Sequence, residues 1–132
     1  MTTPLTTPLT PMTTPEALQT LLASLNRSVL VLKFGAEWCK PCKAIAPVIA
    51  AWTPQSNIQF IDIDVDSSLD LFVALKRRKM VVGLPTMLAF YSDVVRDAWY
   101  VADDSVVGGD PAQTNLFLLR CNNKANKLLT LS

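Results

Sequence analysis

Three short apolar runs, residues 29–34, 58–65 and 86–91, constrain this chain more than any other feature. Each has the length of a strand, and the first, Val-Leu-Val-Leu-Lys-Phe, has the continuous apolar character of an interior, parallel strand covered on both faces. Helical segments precede and separate them: 15–25, where Leu18, Leu21, Leu22 and Leu25 share one face, then 39–52 and 67–79. Strand and helix in alternation call for an α/β layer fold. With 132 residues, half of them apolar, the chain can bury one core.

The punctuation agrees. Thr14-Pro15-Glu16 reads as a helix start, with a hydroxyl cap, proline at the first helical position and an acid at the positive dipole end. Pro47 removes a donor within 39–52 and is expected to interrupt and kink that helix, which Pro54 helps to end. Beyond Asp93 the pattern weakens: 98–101 and 105–107 read as short strands around an acidic turn at Asp103-Asp104. Gly108-Gly109-Asp110-Pro111 reads as a turn and helix start, leading to a terminal helix with Phe117, Cys121, Ala125 and Leu128 on one stripe. Residues 1–14 repeat Thr-Thr-Pro-Leu and are expected to be mostly extended or disordered, with room for an edge strand at 9–13. The domain proper is expected over 15–132.

Twelve Lys and Arg against eleven Asp and Glu leave a formal charge of +1, so nothing global points to nucleic acid or to an anionic membrane. No apolar stretch approaches the roughly 20 residues of a bilayer span, and the N-terminus lacks the basic start and apolar segment of a secretory signal. The expectation is a soluble monomer in the cytoplasm or another reducing intracellular compartment. The chain has no histidine, which removes the usual zinc partner, the usual general base and every imidazole-dependent triad.

Chemistry concentrates in Trp38-Cys39-Lys40-Pro41-Cys42. Two cysteines separated by two residues at a helix start lie within disulfide reach across one turn. The first stands at the positive end of the helix, where free N–H groups favour a thiolate. Cys39 is therefore expected to be the exposed, low-pKa nucleophile and Cys42 the more buried resolving thiol. Lys40 and Lys43 add positive charge, and Pro41 stiffens the ring. The cycle expected is attack on a substrate disulfide, a mixed disulfide, and displacement by Cys42. It needs no metal or organic cofactor beyond the redox-active Cys39–Cys42 pair. A zinc site would need further ligands, and only Cys121 remains.

From Ser28 to Gly109 the sequence resembles the thioredoxin family. Ala36-Glu37-Trp38-Cys39-Lys40-Pro41-Cys42-Lys43 is similar to its active-site segment, and Pro47 falls at its kinking proline. Phe-Ile-Asp-Ile-Asp-Val-Asp at 60–66 is similar to the strand before its next helix, and Leu84-Pro85-Thr86 to its cis-proline segment. Gly109 matches a glycine beside its substrate groove. The resemblance implies a thioredoxin-like fold, a central mixed sheet flanked by helices on both faces, with a cis Leu84–Pro85 peptide packed against the dithiol. It also implies that the Leu84 backbone pairs with an extended substrate, while Trp38, Pro41, Leu84, Pro85 and Gly109 surround it. The partners implied are disulfide-containing proteins and a thioredoxin reductase or other dithiol donor, with no nucleic acid and no membrane. The alternative is a binding or scaffold module on the same fold with little redox turnover.

Two departures matter. Lys40 replaces the family's usual glycine and either shifts the redox poise or remains a solvated lysine. Lys33 replaces a buried acid that serves the resolving cysteine. A lysine there must find a partner, lose its proton or snorkel to an edge, and in the family-like register Asp62 faces it. A reversed pair, Lys33 with Asp62, is the expectation, with either group relaying the proton of Cys42. Lys76-Arg77-Arg78-Lys79 is read as a solvated helix end rather than a nucleic-acid site, Trp99 and Tyr100 as core packing rather than a partner surface, and Cys121 as a buried, inert thiol.

Overall fold

The computed structural model describes residues 12–130. Its elements are α1 (Pro15–Ser24), β1 (Val29–Gly35), α2 (Lys40–Ala51), β2 (Ile58–Asp64), α3 (Leu69–Arg77), β3 (Thr86–Tyr91), β4 (Asp104–Val107) and α4 (Pro111–Thr130). The four strands form one sheet in the order β2-β1-β3-β4. β1 pairs in parallel with β2 and antiparallel with β3, and β3 pairs antiparallel with β4. The sheet is therefore mixed, and the run 29–34 lies in its interior.

Pleating sorts β1 between two cores. Leu30, Leu32 and Phe34 face α1 and α3, packing with Leu18, Leu71 and Leu75. Val29 and Val31 face the other way, toward Ile45 of α2 and Phe117, Cys121, Ala125 and Leu128 of α4. Helices thus cover both faces. Lys33 continues the second face, one strand position short of the dithiol loop.

Local chemistry explains most boundaries. The Thr14 hydroxyl accepts from Ala17 N at 3.1 Å, and Pro15 opens α1. α4 ends against Arg27, whose guanidinium donates to the Leu128 and Leu129 carbonyls. α3 closes in a Schellman motif: Lys79 N donates to Lys76 O and Met80 N to Leu75 O, with Lys79 at φ 60°. Glycine is the usual residue there, because a Cβ is crowded in the left-handed region.

Three expectations change. Pro47 lies inside α2 without interrupting it; Pro47 and Lys43 are both exposed, so water can serve the carbonyl that the missing donor leaves free. Residues 98–101 are not a strand, and Asp103-Asp104 is not a turn between strands. Asp103 instead accepts from Tyr91 N at 2.7 Å and pairs with Arg96, while its own N–H donates to Ala89 O, and Asp104 begins β4. Trp99 and Tyr100 turn onto the α1/α3 core. Finally, Met12 and Thr13 form no strand: Met12 is buried in the same core, and Thr13 O accepts from Leu71 N at 3.0 Å. The remainder of the expected Thr/Pro segment, residues 1–11, lies outside the described residues.

Candidate active site

β1 delivers the chain to Gly35, and α2 begins at Lys40 with Cys39 as its N-cap. Cys39 and Cys42 are disulfide-linked, their Cα atoms 5.3 Å apart, and Cys42 N donates to Cys39 Sγ at 3.2 Å. The cap therefore places one sulfur where the first-turn N–H groups of α2 converge. Two glycines make room. A Cβ on Gly35 would stand 3.2 Å from Cys42 Sγ and 3.6 Å from Lys33 Nζ. A Cβ on Gly109 would come within 2.9 Å of Pro41 Cβ and 3.1 Å of its backbone. Gly109 thus seats the dithiol loop and does not line the cavity beside it.

The expected contrast in exposure is absent: Cys39 is 4% exposed and Cys42 6%. The contrast lies instead in what each one faces. Cys39 lines a recess of about 420 Å³, together with Trp38, Lys40, Pro41 and Leu84. Trp38 stands at its rim, 68% exposed, with Nε1 donating to Asp66 Oδ2 at 2.8 Å. The Leu84–Pro85 peptide is cis. Leu84 N–H and C=O have no hydrogen-bond partner among the described residues. Pro85 is buried beneath, its carbonyl accepting from Gly108 N at 2.9 Å.

Sequence reasoning missed Asp66, which orients the tryptophan, and it missed the opposite wall. Phe72 and Lys76 of α3, with Val81, Val82 and Gly83, complete the recess. The i, i+4 spacing of Phe72 and Lys76 was a usable signal for a shared helix face.

Cys42 looks the other way. Lys33 and Asp62 are direct partners in the β1–β2 register, Nζ to Oδ1 3.4 Å, with the lysine side chain 14% exposed and the carboxylate 64%. Lys33 thus takes a partner at the edge of the sheet while its ammonium also reaches toward the Gly35 and Cys42 corner. Lys33, Gly35, Glu37, Asp62 and Asp64 line a second recess of about 380 Å³. Lys40 is exposed and has no acidic partner within 4.0 Å among the described residues.

The remaining candidates are structural. Cys121 is fully buried on the α4 stripe, and burial, with Asp104 adding to it, pushes its thiol up to about 12. That leaves almost no thiolate near neutral pH. Within 76–79, Arg78 donates to Ala74 O and stacks over Tyr100 and Trp99, while Lys79 makes the helix turn. Among the described residues no cluster of three Cys, Asp or Glu side chains could hold a metal, and no helix is long and apolar enough to cross a membrane.

Comparison with known proteins gives a consistent picture. The family model described as Thioredoxin matches residues 10–105. The chain is 39% identical over 87 residues to Thioredoxin-2 of Pyricularia oryzae, covering 65% of this chain and 44% of that protein. It is 44% identical over 52 residues to Thioredoxin domain-containing protein 8 of Rattus norvegicus, covering 39% of this chain and 41% of that protein. These matches span about two fifths of the relatives' length. Among solved structures, Fasciola hepatica thioredoxin superposes with a TM-score of 0.61 at 22% identity, covering 83% of this chain and 96% of the other. A Plasmodium falciparum thioredoxin gives 0.59 at 26% identity, covering 83% of each.

Proposed function

The chain belongs to the thioredoxin family, and from that premise we propose that it is a protein-disulfide reductase, or exchanger of protein disulfides, with Cys39 as nucleophile and Cys42 as resolving thiol. The observation that carries this reading is the position of the bonded pair: Cys39 caps α2 at the floor of an open recess, and Cys42, one turn on, is turned away from that recess.

In the reduced enzyme the Cys39 thiolate attacks one sulfur of a substrate disulfide; that S–S bond breaks, and the other substrate sulfur leaves as thiolate and takes up a proton. Cys42 then gives up its proton and attacks Cys39 Sγ. The second substrate thiol departs, and two electrons have passed from the Cys39–Cys42 pair to the substrate. A thioredoxin reductase or another dithiol donor returns them. The electrons reside in the cysteines throughout, so no metal or organic cofactor takes part.

Lys33 and Asp62 manage the second step in this reading. The lysine charge favours the Cys42 thiolate, and Asp62, held by Lys33, accepts the proton. Lys40 favours the Cys39 thiolate. Trp38, Leu84 and Pro85 shape the substrate side, and Gly109 with Pro41 holds the loop at its depth. The protein is proposed to act as a monomer in a reducing compartment such as the cytoplasm, with residues 15–132 as its working domain.

Dithiothreitol-driven reduction of a model protein disulfide tests this. Wild type should turn over, Cys39→Ser should not, and Cys42→Ser should accumulate a mixed disulfide through Cys39. The low exposure of both sulfurs favours a second reading, a scaffold on the same fold. Absence of cysteine-dependent turnover would establish that reading and end the first.

A further inference from the structure

The wall of the Cys39 recess that comes from α3 and the following loop gives the site a chemical preference. Phe72, Val81 and Leu84 form an apolar lining, with Val82 66% exposed at the lip. Lys40 enters from the dithiol side and Lys76 from α3, the latter with Nζ 5.6 Å from the Phe72 ring centroid. No acidic residue lines the recess, and neither lysine has a carboxylate within 4.0 Å among the described residues. Two unmatched cations over an apolar floor, beside an unpaired strand-like backbone at Leu84, are complementary to one kind of occupant.

We propose that this recess docks an extended segment of a disulfide-containing protein in which apolar and acidic side chains flank the cysteine, the carboxylates facing Lys40 and Lys76. The proposal rests on the reading of Cys39 as the nucleophile. It also gives the basic run at 76–79 a divided role, which argues against nucleic acid. Arg78 is occupied by Trp99, Tyr100 and its own helix, Lys79 shapes the turn, and Lys76 alone of the run lines the recess. Phosphate-backbone binding draws on several free cations at once, and Arg78 and Lys79 are engaged in packing and in the turn.

The test uses three peptides that share a disulfide and an apolar neighbour and differ only in carrying Glu, Gln or Lys around the cysteine. The kcat/KM for dithiothreitol-driven reduction should fall from Glu to Gln to Lys by roughly threefold to fivefold per step, and the spread should collapse at high salt. In Lys76→Glu, where Lys40 remains to balance the introduced carboxylate, the spread among the peptides should collapse, and Lys76→Arg should keep it. An identical spread in wild type and Lys76→Glu, or no order in wild type, overturns the proposal. Fluorescence anisotropy with Ser in place of the peptide cysteines reads docking without chemistry. A Glu preference there that collapses in Lys76→Glu, with no Cys39-dependent turnover of any peptide, would uphold the groove and sink the enzymatic reading. No charge preference in binding would sink the groove, whatever the turnover.

Discussion

The two sides of one disulfide are built unlike each other. On the Cys39 side lies an apolar recess with an exposed indole, an unpaired backbone and two unmatched lysines; on the Cys42 side lies a polar corner where Lys33, paired to Asp62, stands across the space that Gly35 leaves open. Equal burial of the two sulfurs conceals this. In the proposed cycle the nucleophile has to meet a large partner, which an open recess suits, whereas the resolving thiol meets only its neighbour, and what bears on it is charge. Cys121, a third sulfur with neither neighbourhood, serves as the control.

The comparison is broken most strongly at the glycine seats. Gly109→Ala forces a methyl against the Cα, Cβ and carbonyl oxygen of Pro41, backbone that cannot yield cheaply. It should destabilise the fold by about 1–3 kcal/mol and lower kcat/KM roughly tenfold, as read by urea unfolding and the reductase assay. Gly35→Ala meets the Cys42 sulfur at 3.2 Å and should cost less, slowing resolution more than attack. Equal effects on both steps would erase the claimed distinction.

The control gives the next effect. Folding raises the Cys121 thiol from 9.0 to about 12 and the Tyr91 phenol from 10.0 to about 12, both chiefly by burial. Between those values the unfolded chain releases protons that the native chain retains. The associated stability is therefore complete below about pH 9 and is lost as pH rises toward 12. Urea unfolding should show a slope approaching about 1.4 kcal/mol per pH unit between about pH 9 and 10, where Cys121 alone counts, and up to about twice that above pH 10, where Tyr91 adds to it; Cys121→Ala should remove the first part and roughly halve the second. Alkylation of the reduced native protein should label two thiols and spare Cys121 until unfolding.

A smaller effect sharpens the Cys42 side. Removing the cation with Lys33→Met should shift the alkaline rise of the resolution rate to higher pH and slow resolution severalfold at neutral pH, while attack by Cys39 is little changed. Stopped-flow decay of the mixed disulfide reads it directly. An unaltered pH profile in both Lys33→Met and Asp62→Asn would remove that pair from the chemistry. The smallest effect lies at the recess frame: Lys79→Gly relieves a left-handed lysine and should add about 1 kcal/mol of stability, measured by thermal unfolding.

Much of this was legible along the chain. The runs at 29–34, 58–65 and 86–91 supply β1, β2 and β3, the Thr14 cap and Pro15 open α1, and the Phe117, Cys121, Ala125, Leu128 stripe is buried. The segment 98–101 misled because Trp99 and Tyr100 look like strand residues; their burial against α3, with Asp103 caught by Tyr91 N and Arg96, outweighs that propensity. Pro47 misled because an exposed helix face tolerates a missing donor.

What the amino-acid order determined by itself was whatever depends on neighbours within a turn or a strand: the reach between Cys39 and Cys42, the caps, the apolar periods and hence the α/β class. The tertiary structure alone decided which wall stands opposite Cys39, that Gly109 lies beneath Pro41, and that Lys76 shares a recess with Lys40. Those contacts join residues dozens of positions apart, and their geometry follows from how helices settle on a twisted sheet, which short-range pattern does not encode.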